Sequence, residues 1–170
     1  MRITWLGLVF VTAVALAQSG DISARGAEVQ PALKSGVADL LSAAQIQEKA
    51  NELMAEARQS SAGLATTTLE RYPHHLTMLT VRTRSGSAEV HARYADIFVA
   101  LDGEAEVITG GTVVDSKVSS PGETRGAQVD GGVSHPMHKG DVLHISAGVP
   151  HQTTVPPGKT FTYYVVKIEQ

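Results

Sequence analysis

Residues 86–107 read GSAEVHARYADIFVALDGEAEV, and residues 140–152 read GDVLHISAGVPHQ. In both stretches short runs of Val, Ile, Leu, Phe and Tyr are broken by Gly, Asp and Pro, which is the pattern of brief antiparallel strands. Further runs extend it on either side: LTMLTVRT at 76–83 and FTYYVVKI at 161–168. From Glu89 to Gly111 EVHARY, DIFVALDG and AEVITGG read as separate strands, and VLHI after Gly140-Asp141 as another. Turns are expected at Ser85-Gly86, Asp102-Gly103, Gly110-Gly111, Lys139-Gly140-Asp141 and Pro156-Pro157-Gly158. Residues 66–170 are therefore read as an all-β unit, a sandwich or a barrel.

Upstream the periodicity changes. Ser42-Ala-Ala-Gln45 fits a capping box, and Ile46, Ala50, Leu53, Met54 and Ala57 then recur at helical spacing. A single amphipathic helix over 42–60 is expected to lay its apolar stripe on the β unit or on a partner subunit. Residues 18–41 mix small, polar and charged side chains without periodicity and read as a flexible leader. At the start, Arg2 precedes the apolar run ITWLGLVFVTAVALA, which ends in small residues fitting an A-x-A cleavage pattern at Ala15 and Ala17. The run is roughly 15 residues, shorter than the ~20 of a spanning helix, so residues 1–17 read as a cleaved signal peptide. A periplasmic or secreted protein that leaves the membrane after cleavage is the expectation.

Composition narrows the chemistry. The chain of 170 residues has a formal net charge of −3 and no Lys/Arg cluster, which argues against an electrostatic grip on nucleic acid or anionic lipid. It contains no cysteine, so thiolate metal sites, cysteine nucleophiles and disulfides are excluded, and any metal must take nitrogen and oxygen ligands. Ser60-Ser61 and Ser119-Ser120 lack a nucleophile-elbow context, and no glycine loop links a strand to a helix in the phosphate-binding manner. A small-molecule ligand or substrate is the expected partner.

The two opening stretches resemble the paired motifs of the cupin family. In the later one Gly140 is followed by five residues, Ser146 where the family usually has proline, Gly148, two residues and His151. Val155 stands where the family has asparagine. The family's first motif is His-x-His, three or four residues, Glu, six residues, Gly. Anchored on Gly103, it puts Asp96 in the glutamate place, His91 in the second histidine place and Glu89 in the first. A rival register through His91 and Arg93 leaves only two residues before Asp96.

Chemistry independently favours the first register, because Glu89, His91, Asp96 and His151 can all ligate a cation and Arg93 cannot. Alternation puts Glu89 and His91 on one strand face, whereas Asp96 lies an odd number of residues beyond His91, so a bend or bulge must turn it inward. The resemblance implies a double-stranded β-helix, a jelly-roll-like barrel, and a divalent metal ion: Fe, Mn, Zn, Ni or Co suits two histidines and two carboxylates. It also implies a homodimer, a common assembly in the family. Three readings stay open: a metal-dependent enzyme acting on a small oxygen-rich molecule, a binding module using the same cavity, and a structural barrel. In the metal-free alternative buried Glu89 and Asp96 make hydrogen bonds or pair with Arg93. His74, His75, His135, His138 and His144 are read as packed or exposed histidines, with His135 or His138 able to reach the site from the insertion at 110–138.

Overall fold

The computed structural model describes residues 30–170; the expected signal peptide and residues 18–29 of the expected leader lie outside the described residues. One helix, α1 (Ala43–Gln59), precedes β1 (Leu64–Tyr72), β2 (His75–Arg82), β3 (Ala88–His91) and β4 (Tyr94–Thr109). Then come β5 (Thr112–Val113), β6 (Lys117–Ser120), β7 (Glu123–Gly126), β8 (Val129–Asp130) and β9 (Val133–His138). The chain closes with β10 (Val142–Ile145), β11 (His151–Thr154) and β12 (Phe161–Glu169). All strand pairings among these elements are antiparallel.

The expected capping box is present: the Ser42 hydroxyl accepts from the Gln45 amide, and the Gln45 side chain accepts from the Ser42 amide at 3.0 Å. Each contact satisfies a donor that a helix start leaves open, an N-cap effect worth about 1 kcal/mol. Ala50, Leu53 and Ala57 then pack on Ala65, Leu79 and Val81, so α1 covers the outer face of β1 and β2. The opposite face of β2 carries Met78, Thr80 and Arg82 toward the cavity described below. Among the described residues no helix is long and apolar enough to cross a membrane.

Strand β4 organises the barrel. Its first half lies between β12 and β10, its second half between β11 and β9, so one strand serves both sheets. The turn expected at Asp102-Gly103 is absent, and the two strands expected at 96–103 and 105–111 form one continuous element. The reason is local: the pairing with β12 slips between Thr162 and Tyr163, leaving Leu101 as an extra residue on β4. Beside it Gly103 has φ +76, and a Cβ there would lie 2.0 Å from the Thr160 carbonyl oxygen. Only glycine permits so close a crossing. The slip also changes which residues face inward. Phe98 and Ala100 enter the core before it, Ala105 and Val107 after it, all packed with Phe161, Tyr163 and Val165.

The insertion at 110–138 is part of the barrel. Strand β7 pairs with β3 and β6 with β7, extending the second sheet beyond the site, while β9 covers the far edge of β4. Residues 30–41 have little regular structure but lie against β1: the Lys34 amide donates to the Arg71 carbonyl at 2.8 Å, and the Tyr72 hydroxyl to Asp39 at 2.9 Å. That part of the expected leader is docked by polar contacts.

Candidate metal centre

Alternation along β3 sends Glu89 and His91 to the same face, and β11 runs beside it with His151 directly opposite Glu89. The approach to β11 is tied down by the Gly148 amide, which donates to the His91 carbonyl at 2.8 Å. After His91 the chain turns a corner at Ala92-Arg93, held by the Ala92 amide donating to the Gly122 carbonyl at 2.8 Å, and enters β4 in the other sheet. This corner between sheets, rather than a bulge within a strand, brings Asp96 inward. Asp96 is 3% exposed, whereas Arg93 sits exposed at the corner.

The four side chains converge. His91 Nε2 lies 3.4 Å from Asp96 Oδ2 and 3.8 Å from Glu89 Oε2. His151 Nε2 lies 3.7 Å from Glu89 Oε1 and 3.7 Å from Asp96 Oδ2. Ligand atoms of Glu89, His91 and His151 all fall within 4.8 Å of one another. Donors held at about 2.1 Å around one first-row ion are separated by roughly 3–3.5 Å, so small side-chain movements satisfy such an ion.

Tautomers follow from the outer partners. His151 Nδ1 donates to the Val149 carbonyl at 3.1 Å, which leaves the Nε2 lone pair directed at the carboxylates. Burial pushes the His151 imidazole down to about 4, against the upward pull of the Val149 carbonyl and Asp96, so the ring is neutral at physiological pH. Its Nε2 is fully buried and has no hydrogen-bond partner among the described residues. A neutral imidazole nitrogen beside two carboxylates is a donor set for a divalent first-row metal. His91 is similarly oriented, its Nδ1 donating to Glu123 Oε2 at 2.5 Å, the carboxylate–histidine arrangement that raises ligand basicity in metal sites.

Residues outside the expected set surround these four. Glu123 and Arg125 come from β7, where His91 is paired with Glu123 and Glu89 with Arg125. Arg125 Nη1 forms an ion pair with Glu89 Oε2. Lys167 of β12 donates to Asp96 Oδ1 at 2.8 Å, leaving Oδ2 for the histidines. Arg82 sends its Nε to the Tyr163 hydroxyl at 3.1 Å. The carboxylates thus pair with Arg125 and Lys167, not with Arg93. Neither His135 nor His138 reaches the cluster: His135 bonds Thr109 at 2.9 Å, and exposed His138 stands beside Asp141. The signal for Glu123 was present in the insertion, since Glu-x-Arg at 123–125 is the antiparallel charge complement of Glu-x-His at 89–91.

No family model matches the chain, and no curated protein matches it. Among solved structures, a conserved protein with a double-stranded β-helix domain from Klebsiella pneumoniae aligns at TM-score 0.53 with 14% identity, covering 78% of this chain and 91% of that one. A cupin 2 conserved barrel domain protein from Salinispora arenicola aligns at TM-score 0.45 and 22% identity, over 66% and 83% of the two chains. A recombinant oxalate oxidase aligns at TM-score 0.47 and 16% identity; this chain covers 53% of its length, with 65% of its own residues aligned. The fold is a double-stranded β-helix.

Proposed function

We propose that this is an exported cupin in which Glu89, His91, Asp96 and His151 hold one divalent first-row metal ion facing a small oxygen-rich molecule in the barrel. The observation that carries this reading is the buried, unpartnered Nε2 of His151, a neutral lone pair beside two carboxylates. Glu89, His91 and Asp96 line a solvent-connected cleft of about 140 Å³, room for a ligand of only a few heavy atoms. An ion held there would supply Lewis-acid polarisation of a ligand oxygen or a bound water of lowered pKa. The protein's part is to fix the donors: Glu123 and the Val149 carbonyl orient the two imidazoles, and Lys167 holds one oxygen of Asp96 so that the other faces them.

The Arg125–Glu89 and Lys167–Asp96 pairs favour a second reading, a metal-free binding barrel whose carboxylates are already neutralised. Metal analysis of untagged protein separates the two. Stoichiometric metal that is lost in both His91→Ala and His151→Ala, with the β-sheet spectrum kept, is the expected result. Sub-stoichiometric metal that neither variant changes points to the metal-free barrel. Given metal, oxygen consumption or product formation across sugars, phenols and diketones then distinguishes a catalyst from a binder. Export rests on the N-terminal pattern, and a mature chain beginning at Gln18 is its expected product by mass spectrometry.

A further inference from the structure

The groups around the cluster identify the kind of molecule the site takes. Glu89, Asp96 and Glu123 bring three formal negative charges, and Arg82, Arg125 and Lys167 bring three positive ones, all six within a connected set of contacts. The side chains are therefore balanced without a metal. A divalent ion leaves the site two charges positive, and in so small and largely buried a space that excess is costly unless an anion accompanies it.

The cations are also placed to hold one. Arg82 is nearly buried, and among the described residues the hydrogen bond of its guanidinium is the one from Nε to Tyr163; its Nη2 is 4.0 Å from the nearest Glu89 oxygen, beyond hydrogen-bond length. From behind, the guanidinium packs against Gly86, where a Cβ would stand 2.4 Å from Nη1. Arg125, whose side chain is 44% exposed, faces Glu89 from the other side and can swing between Glu89 and a ligand. Both line the cleft together with Lys167, and the remaining wall includes Met78, Phe98 and Val165. Guanidinium forks match planar carboxylates, and an apolar wall matches a short carbon skeleton.

We infer that the ligand is a small organic carboxylate, gripped by Arg82 and Arg125 with Lys167 alongside, and seated next to the metal ion. This deepens the reading above and rests on it. The carboxylate replaces the two arginines' partner once Glu89 is committed to the cation.

The test uses the untagged mature chain loaded with Co(II), titrated calorimetrically with malonate and with its uncharged analogue malonamide, while the visible Co(II) bands are followed. Malonate is expected to bind at least about tenfold more tightly than malonamide and to shift the bands. Arg125→Gln is expected to lose at least about tenfold in malonate affinity while binding Co(II) no more weakly than the unsubstituted chain. Arg82→Gln should behave alike; Arg125, half exposed, keeps the test sound if the Arg82 variant does not fold. Equal binding of the two probes, or malonate affinity unchanged in Arg125→Gln, overturns the inference. If the chain binds no Co(II), the metal reading fails, and malonate titration of the metal-free chain decides this one: binding weakened by Arg125→Gln supports the carboxylate site, and no binding overturns it.

Discussion

His151 gathers the physics of the site into one side chain. It is buried, neutral, oriented by one carbonyl and unpartnered at its other nitrogen. In the unfolded chain its imidazole titrates near 6.5, and in the folded chain near 4, so between those values the unfolded state binds the extra proton. Its contribution to stability is therefore full above about pH 6.5 and is lost as the pH falls toward 4, by an amount on the order of 3 kcal/mol. Denaturant melts of the metal-free protein at pH 7 and pH 4.5 are expected to show a larger acid loss for the unsubstituted chain than for His151→Gln. Equal losses would show that His151 does not charge on unfolding. The candidate ligands Glu89, His91, Asp96 and His151 were legible as residues because ligating chemistry belongs to the side chain itself. Lys167 was not, because nothing local marks a charge on a strand as a partner rather than as solvated surface, and the Glu-x-Arg complement of Glu123 and Arg125 becomes readable only once β7 is known to pair with β3.

At the scale of elements, β4 was misread for an instructive reason. Asp-Gly is a strong turn signal, and glycine at positive φ does occur there, but the chain uses it to cross close to the Thr160 carbonyl and pass from one sheet to the other. Gly103→Ala combines a disfavoured backbone conformation with a clash against main chain, so a loss of at least about 2 kcal/mol is expected. Chemical denaturation checks it, and a loss under about 0.5 kcal/mol would mean that the strand can shift away from Thr160. By contrast, α1 followed from its sequence with its cap intact, since a capping box and a 3.6-residue stripe are both short-range features. The small strands β5 to β9 escaped detection because they are two to six residues long and polar, and their pairing with β3 and β4 supplies the order that their own composition does not.

For the molecule as a whole, a ligand that binds only the folded barrel must stabilise it. Metal at about a hundred times its dissociation constant adds roughly 2.7 kcal/mol, so the melting temperature should rise with Mn(II), Co(II), Ni(II) or Zn(II) and fall again on chelation. Thermal melts identical with and without every one of these ions would contradict a metal centre. Phe161 is fully buried in the core with Phe98, Tyr163 and Val165, and its replacement by alanine is expected to cost about 3–5 kcal/mol. The sequence by itself determined the all-β body and the capped helix and singled out Glu89, His91, Asp96 and His151 as candidate ligands, because strand period, helix period and ligand chemistry act over a few residues. Only the tertiary structure decided that Asp96 turns inward at a corner and that Glu123 and Lys167, 32 and 71 positions from their partners, hold the cluster. Those contacts depend on how two sheets share one bent strand, a relation that local pattern does not encode.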